Sequence, residues 1–295
     1  MTSAEKWTDG VDGVLLDMTG VLCESGQSNA IKGSVDAVKR LKEAGLPVRF
    51  CTNETTYTSQ ALVEKMKGFG FDIKPEEVFS PIPAMCQVLK ERELHPHLLV
   101  HPNALADFSD VSTENPNCVV LGDAVDEYSY DNLNKAFQVL ISLNKPSLFS
   151  LGKGRYYKDG EDLVLDVGSF CSALEYACDI KAEVVGKPSA IFFNTAVKDM
   201  GLSADKVRSE DGLMSQTGYV YLFGVVMVGD DIVSDVGGAL STGMKGVLVR
   251  SGKYRTTDEN HPKVKPSAIV NDLSEAVDIL LKSRKPNWDG LAELA

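Results

Sequence analysis

Asp17 closes the apolar run Val14, Leu15 and Leu16, and a short break of Met18, Thr19 and Gly20 separates it from apolar Val21 and Leu22. Such a run between Gly13 and Gly20 reads as a buried strand of a parallel sheet, where an ionised side chain is costly unless it stands at the strand's open end. Ligands of open α/β sheets bind at that carboxyl edge. Asp17 therefore either handles a ligand or caps the turn that follows, and taken alone the two readings weigh about equally. Three further polar groups end apolar runs in the same way: Thr52, Asn53 and Glu54 after "VRFC", Lys187 after "VVG", and Asp230 and Asp231, with Asp235 beyond them, after "VVMVG". Singly they read as a turn, a solvated lysine and a loop. At the ends of parallel strands they converge on one edge, where carboxylates, a lysine and hydroxyl groups suit chemistry on a small anion received by a positive group or a metal ion.

The elements that must position these residues are legible around them. "GSVDAVKRLKEAG" has Ser34 as an N-cap, Val35, Val38 and Leu41 on one face, and Gly45 as a stop, which predicts an amphipathic helix between the first two strands. A right-handed crossover then sets those strands parallel and brings Thr52 and Asn53 beside Asp17. A second helix is predicted over about 58–68, after which "KPEEVFSPIP" breaks the pattern. "HLLVHP", "NCVVLGDA" and "PSLFSLGKG" read as strands, and "DNLNKAFQVLISL" and "SFCSALEYACD" as helices, forming a core of their own. So long an excursion before the strands "GVVMVGDD" and "GVLVRSGKYR" implies an inserted domain. The expected organisation is an α/β, Rossmann-like parallel-sheet core in two halves, 1–83 and 184–283, an inserted α/β domain at 84–183, and a loose tail at 284–295. Residues 208–223 exceed what a simple connection needs and read as an insertion.

Composition sets the limits. The 295 residues carry a formal charge of −12, against the footprint of a nucleic-acid binder. No stretch of eighteen apolar residues and no apolar leader appears, so no membrane association is expected. The six cysteines lack any CxxC spacing and read as free thiols of a reducing compartment, the cytoplasm with the nucleus also open to it.

The four motifs in this order resemble the haloacid dehalogenase superfamily of phosphotransferases: Asp17 to Val21 first, Thr52 second, Lys187 third, and Gly229, Asp230, Asp231 and Asp235 fourth. An α/β insertion between the second and third motifs resembles the superfamily's C2-type cap. Longer stretches, among them "GVLLDMTGVLCESG", "RFCTNE", "SLGKGRYYK" and "KAEVVGKPS", resemble a subfamily that hydrolyses the P–N bonds of phosphohistidine and phospholysine and inorganic pyrophosphate. The resemblance implies that Asp17 attacks phosphorus to form an aspartyl-phosphate. It implies that Thr52 and the Asn53 amide hold phosphoryl oxygens, and that Lys187 neutralises the nucleophile and the developing charge. One Mg²⁺ per site would be held by Asp17, the Thr19 carbonyl and Asp230, with Asp231 and Asp235 ordering its outer shell. Substrates would be small phosphorylated molecules or phosphohistidine and phospholysine side chains of proteins, and the cap would form a homodimer.

Thr19 stands where most members carry a second Asp as general acid and base, a function worth roughly 10² to 10⁴ in rate. Glu54 and Asp231 are the substitutes the sequence offers for activating water. The substitution keeps two other readings open: a capped phosphatase for small phosphate esters, and a non-catalytic protein that binds phosphorylated ligands.

Overall fold

A computed structural model of the chain describes residues 6–24, 29–159, 162–202 and 224–284. The chain runs through β1 (Gly13–Asp17), α1 (Ser34–Glu43), β2 (Val48–Cys51), α2 (Ser59–Gly68) and the two-residue β3 (Val78–Phe79). Helix α3 (Pro81–Glu91) leads to β4 (Pro96–Leu99), β5 (Cys118–Leu121), α4 (Tyr130–Ser142) and β6 (Leu148–Ser150). A hairpin follows, β7 (Tyr156–Asp159) with β8 (Asp162–Leu165), then α5 (Val167–Cys178) and β9 (Glu183–Val184). The remainder is α6 (Ala190–Asp199), β10 (Val225–Gly229), a π-helical turn Ile232–Gly237 running into α7 (Gly238–Ser241), β11 (Lys245–Val249), β12 (Ala268–Val270) and α8 (Leu273–Arg284).

Two parallel sheets result. The larger has the order β12-β11-β10-β1-β2-β3, the smaller β4-β5-β6-β9. All five residues of β1 are buried, as a central strand covered on both faces demands. Leu16 packs with Phe50, Val228 and Leu280 on one face, while its neighbour Leu15 packs with Phe192, Phe193 and Met227 on the other, the period-two alternation of a pleated strand. Register fixes what meets at the carboxyl edge: Asp17 lies opposite Cys51 and Leu16 opposite Val228, so Asp17, Thr52 and Asp230 emerge together. The smaller sheet has a core of its own, in which Ile82, Met85 and Leu89 of α3 pack with Val120 and Phe149.

Two local expectations change. The cap of α1 is Gly33, at φ 84°, because the Ser34 hydroxyl donates instead to the carbonyls of Leu22 (3.0 Å) and Ile31 (2.7 Å). "KPEEVFSPIP" is no mere break: it contains β3 and the start of α3 with Pro81 in its first turn, a strand too short to show periodicity. The β7–β8 hairpin and β12 are further elements with too little pattern to announce themselves. The reading of 208–223 as an insertion, and nearly all of the tail, lie outside the described residues.

Candidate active site

At the carboxyl edge of the larger sheet, Lys187 is 3 % exposed and reaches two carboxylates, Asp17 Oδ1 at 2.6 Å and Asp235 Oδ1 at 2.7 Å, and donates to the Cys51 carbonyl at 3.3 Å. Burial alone would lower the lysine's pKa; the charges of Asp17 and Asp235 outweigh it and hold the amine above its ordinary value. Asn53 fixes the loop that carries this lysine. Its Nδ2 donates to the Lys187 carbonyl at 2.9 Å and its Oδ1 accepts from the Lys187 N–H at 2.8 Å. The Asn53 side chain is thus a clasp on Lys187.

Asp230, 2 % exposed, accepts from the Lys253 N–H at 2.7 Å through Oδ2, while its Oδ1 has no hydrogen-bond partner. Gly20 and Gly252, at φ 94° and 60°, close over this carboxylate so tightly that a Cβ at either would overlap Oδ2. The Ser251 hydroxyl donates to the Gly20 carbonyl at 2.5 Å and ties the two loops together. One carboxylate oxygen from each of Asp17, Asp230 and Asp235 lies within 4.8 Å of the other two. Burial, with the Asp17 charge acting in the same direction, pushes Asp230 well above the usual carboxylate range and Asp235 up to about 7. Crowded anionic oxygens, one of them orphaned, fit a hard divalent cation.

The other expected residues are placed as follows. Thr52 is buried and its hydroxyl accepts from the Glu54 N–H at 2.9 Å, while Thr19 is exposed on the wall of the cleft. Glu54 is turned onto its own loop, accepting from the Thr56 N–H at 2.7 Å and hydroxyl at 2.5 Å. Asp231 caps the π-helical turn, accepting from Val233 N–H at 2.8 Å and Ser234 N–H at 2.9 Å, and pairs with Lys253 Nζ at 3.2 Å. Asp235, expected in the metal's outer shell, stands inside the carboxylate cluster.

The smaller sheet covers this edge, enclosing a cleft of about 800 Å³. From it come Asp123, after β5, and Asp166, at the start of α5. The Thr55 hydroxyl accepts from the Asp123 N–H at 2.8 Å and joins the two units at the rim. Sequence reasoning missed Lys253, Asp123 and Asp166. Lys253 and Asp123 each had a signal, a position just past a strand-type run in "GVLVRSGKYR" and "NCVVLGDA"; Asp166 had none.

A parallel α/β sheet with two buried aspartates bridged by a buried lysine and an acidic loop at its carboxyl edge, covered by a second α/β unit, is the architecture of a capped hydrolase. The chain belongs to the haloacid dehalogenase-like hydrolase family: the family model of that description matches residues 14–114, and a second, HAD-hydrolase-like model matches 184–276. Phospholysine phosphohistidine inorganic pyrophosphate phosphatase of Danio rerio is 54 % identical over 96 % of this chain and 98 % of its own, and the Homo sapiens protein of the same name is 52 % identical over 92 % and 95 %. In fold, the chain is similar to 4-nitrophenylphosphatase of Thermotoga maritima (TM-score 0.78, 23 % identity, 92 % and 98 % of the two chains covered). It is likewise similar to NagD of E. coli K-12 (TM-score 0.73, 21 % identity, 90 % and 98 % covered). The fold is that of a C2-capped phosphatase.

Proposed function

We propose that the chain is a Mg²⁺-dependent phosphatase of P–N bonds, in phosphohistidine and phospholysine, and of inorganic pyrophosphate. The observation that carries this reading is the Lys187 bridge between Asp17 and Asp235 beside the orphaned Asp230 oxygen, in a chain more than half identical to relatives named for those substrates.

In this reading an Asp17 oxygen bonds to phosphorus as the P–N or P–O bond breaks, and the electron pair departs on nitrogen or oxygen. Water then hydrolyses the acyl phosphate, releasing phosphate and restoring the carboxylate. Lys187 offsets charge on Asp17 and on the phosphoryl oxygens, and the Thr52 hydroxyl and Asn53 N–H orient them. Asp17, Asp230 and the Thr19 carbonyl would hold Mg²⁺, with Asp235 and Asp231 supporting. The ion would supply positive charge where the carboxylates and the phosphate crowd. With no second acid at Thr19, donors whose leaving atom is a basic nitrogen have the advantage, since such a nitrogen can carry a proton before cleavage.

The domain organisation we adopt is a two-part core with the cap inserted between its halves, the boundaries expected at 83/84 and 183/184 moved outward so that α3 (Pro81–Glu91) and β9 (Glu183–Val184) stay whole with the smaller sheet. A cytoplasmic location accords with six free cysteines, and a homodimer through the cap with exposed Tyr130 and Tyr176 on its outer helices. Among the described residues no helix is long and apolar enough to cross a membrane.

The test is Mg²⁺-dependent phosphate release from phosphohistidine, N-phospholysine, pyrophosphate and an alkyl phosphate, compared by kcat/KM. The expected result is a preference of roughly 10² or more for the first three over the alkyl phosphate. Equal or better hydrolysis of the alkyl phosphate would return the reading to an ester phosphatase, and phosphate binding without turnover to a non-catalytic one.

A further inference from the structure

Among the described residues, the lysines and arginines on the cleft wall are Lys65, Lys187, Arg250 and Lys253. Lys187 is taken up by Asp17 and Asp235, Arg250 by Glu259 at 2.8 Å and Asn271 at 3.2 Å, and Lys65 lies over the Tyr57 ring at 5.1 Å. Lys253 meets Asp231 Oδ2 at 3.2 Å, and its side chain is 46 % exposed. An ammonium carries three N–H donors, so this one can add an anion without leaving Asp231. The backbone on either side of it is pinned. The Lys253 N–H donates to Asp230 Oδ2 at 2.7 Å, the Ser251 hydroxyl donates to the Gly20 carbonyl at 2.5 Å, and the Arg255 guanidinium lies over the Tyr156 ring of the cap at 5.1 Å. The charge of Asp17, at the floor of the cleft, acts on the Lys253 ammonium, and the ammonium acts in turn on Asp166 of the cap. Lys253 therefore stands between Asp17 and the cap. In an in-line displacement at phosphorus the leaving group departs on the side away from the attacking oxygen, which here is the side the cap covers.

We infer that Lys253 receives the anionic leaving group of a phosphoryl donor, the departing phosphate of pyrophosphate, and so sets how well the site uses pyrophosphate relative to nitrogen donors. The inference rests on the phosphatase reading above and deepens it. As an Asp17 oxygen bonds to phosphorus, the bond from that phosphorus to the bridging oxygen breaks, and the bridging oxygen leaves with the electron pair as part of a phosphate ion. Negative charge grows on that oxygen in the transition state, where a nearby ammonium stabilises it. The need is sharpened by the cap, whose Asp123 and Asp166 put like charge on the same cleft. A leaving nitrogen that has taken up its proton departs without negative charge and draws nothing from the ammonium. Lys187 and Lys253 thus divide the work, the first at the attacked phosphoryl group and the second at the group that departs.

The experiment compares kcat/KM for pyrophosphate and for an N-phospholysine peptide, at saturating Mg²⁺, in the unmodified protein and in Lys253→Met, Lys253→Arg and Lys65→Met. Methionine keeps the apolar stem and the main-chain N–H that Asp230 accepts from. In Lys253→Met, kcat/KM for pyrophosphate should fall by about tenfold or more and that for N-phospholysine by less than about threefold. Lys253→Arg should restore most of the loss, and Lys65→Met should leave the ratio of the two donors unchanged. Calorimetry with methylenediphosphonate, a pyrophosphate mimic whose bridge is not cleaved, reads the same contact without turnover: its Kd should rise by about tenfold in Lys253→Met while that of orthophosphate stays as it is. An equal fall for both donors would assign Lys253 to the support of Asp231 and overturn the inference, as would an unchanged ratio, an unchanged Kd for methylenediphosphonate, or the same selective loss in Lys65→Met; each of these leaves the phosphatase reading intact. Hydrolysis of neither donor by the unmodified protein would overturn both.

Discussion

The core and the cap are built alike, each a parallel sheet with helices over it, yet their edges treat charge in opposite ways. At the core edge, carboxylates are buried around Lys187, held at 2.6 and 2.7 Å from Asp17 and Asp235. At the cap edge, Asp123 and Asp166 are half-buried on the wall of the cleft and make no ion pair among the described residues. The first environment is buried, so its charges must be matched within the protein or by a bound ion. The second is more open to solvent. Similar architecture therefore ends in two different edges, one whose charges are paired inside the protein and one whose carboxylates border the cleft.

The contrast can be broken at either edge. The largest effect is expected from Asp17→Asn, which keeps the side chain's shape and removes the proposed nucleophile: turnover should fall by about 10³-fold or more with Tm little changed. Substantial single-turnover phosphate release by the folded variant would exclude covalent catalysis at this position. Lys187→Met should come next, since it strands Asp17 and Asp235 as neighbouring buried carboxylates. A loss of about 3–5 kcal/mol in stability is expected, with kcat down about 10²-fold or more, read by urea unfolding and steady-state kinetics.

Asp230→Asn sharpens the comparison through the metal. Mg²⁺ at about 100 times its Kd should stabilise the unmodified protein by about 2.7 kcal/mol, and the variant much less, in thermal unfolding with and without the ion. An identical Mg²⁺ response in both would remove Asp230 from the metal site.

The smallest effect lies at the cap edge and depends on pH. Asp123 binds its proton more tightly folded, at a pKa of about 7, than unfolded, near 3.8. The unfolded chain therefore binds fewer protons between those values, and the stability this group contributes falls as pH rises from about 4 to 7. Asp123→Asn should abolish that fall: relative to the unmodified protein it should gain on the order of 1–2 kcal/mol at pH 8, after allowance for screening by solvent, and nothing below pH 4. Tm differences at pH 5 and pH 8 read the sign. An equal difference at both would place Asp123 in water rather than in the crowded cleft.

Much of this molecule was legible in the chain because period and punctuation are local. The apolar runs ending at Asp17, Cys51 and Gly229 announced three buried strands, and parallel pairing then required their polar successors to share an edge. Asp17, Thr52 and Asp230 could therefore be placed together before any coordinates; strand pairing does not bring Lys187 to them, because the strand it follows, β9, pairs with β6 in the smaller sheet. β3 and β12, with two and three residues, could not be seen, since so short a strand has no period and forms only because a neighbouring strand offers its open edge.

What the sequence determined by itself is the set of groups at the strand ends, because each sits at a boundary where an apolar pattern stops. Only the tertiary structure decided how those groups divide their work. It turned the Asn53 side chain onto Lys187, Asp231 onto a helix cap, and Asp235 into the carboxylate cluster. It also set Asp123 and Asp166 opposite the core. Contacts of that kind depend on distance in space and on burial, which join residues more than a hundred positions apart, and no local pattern along the chain encodes them.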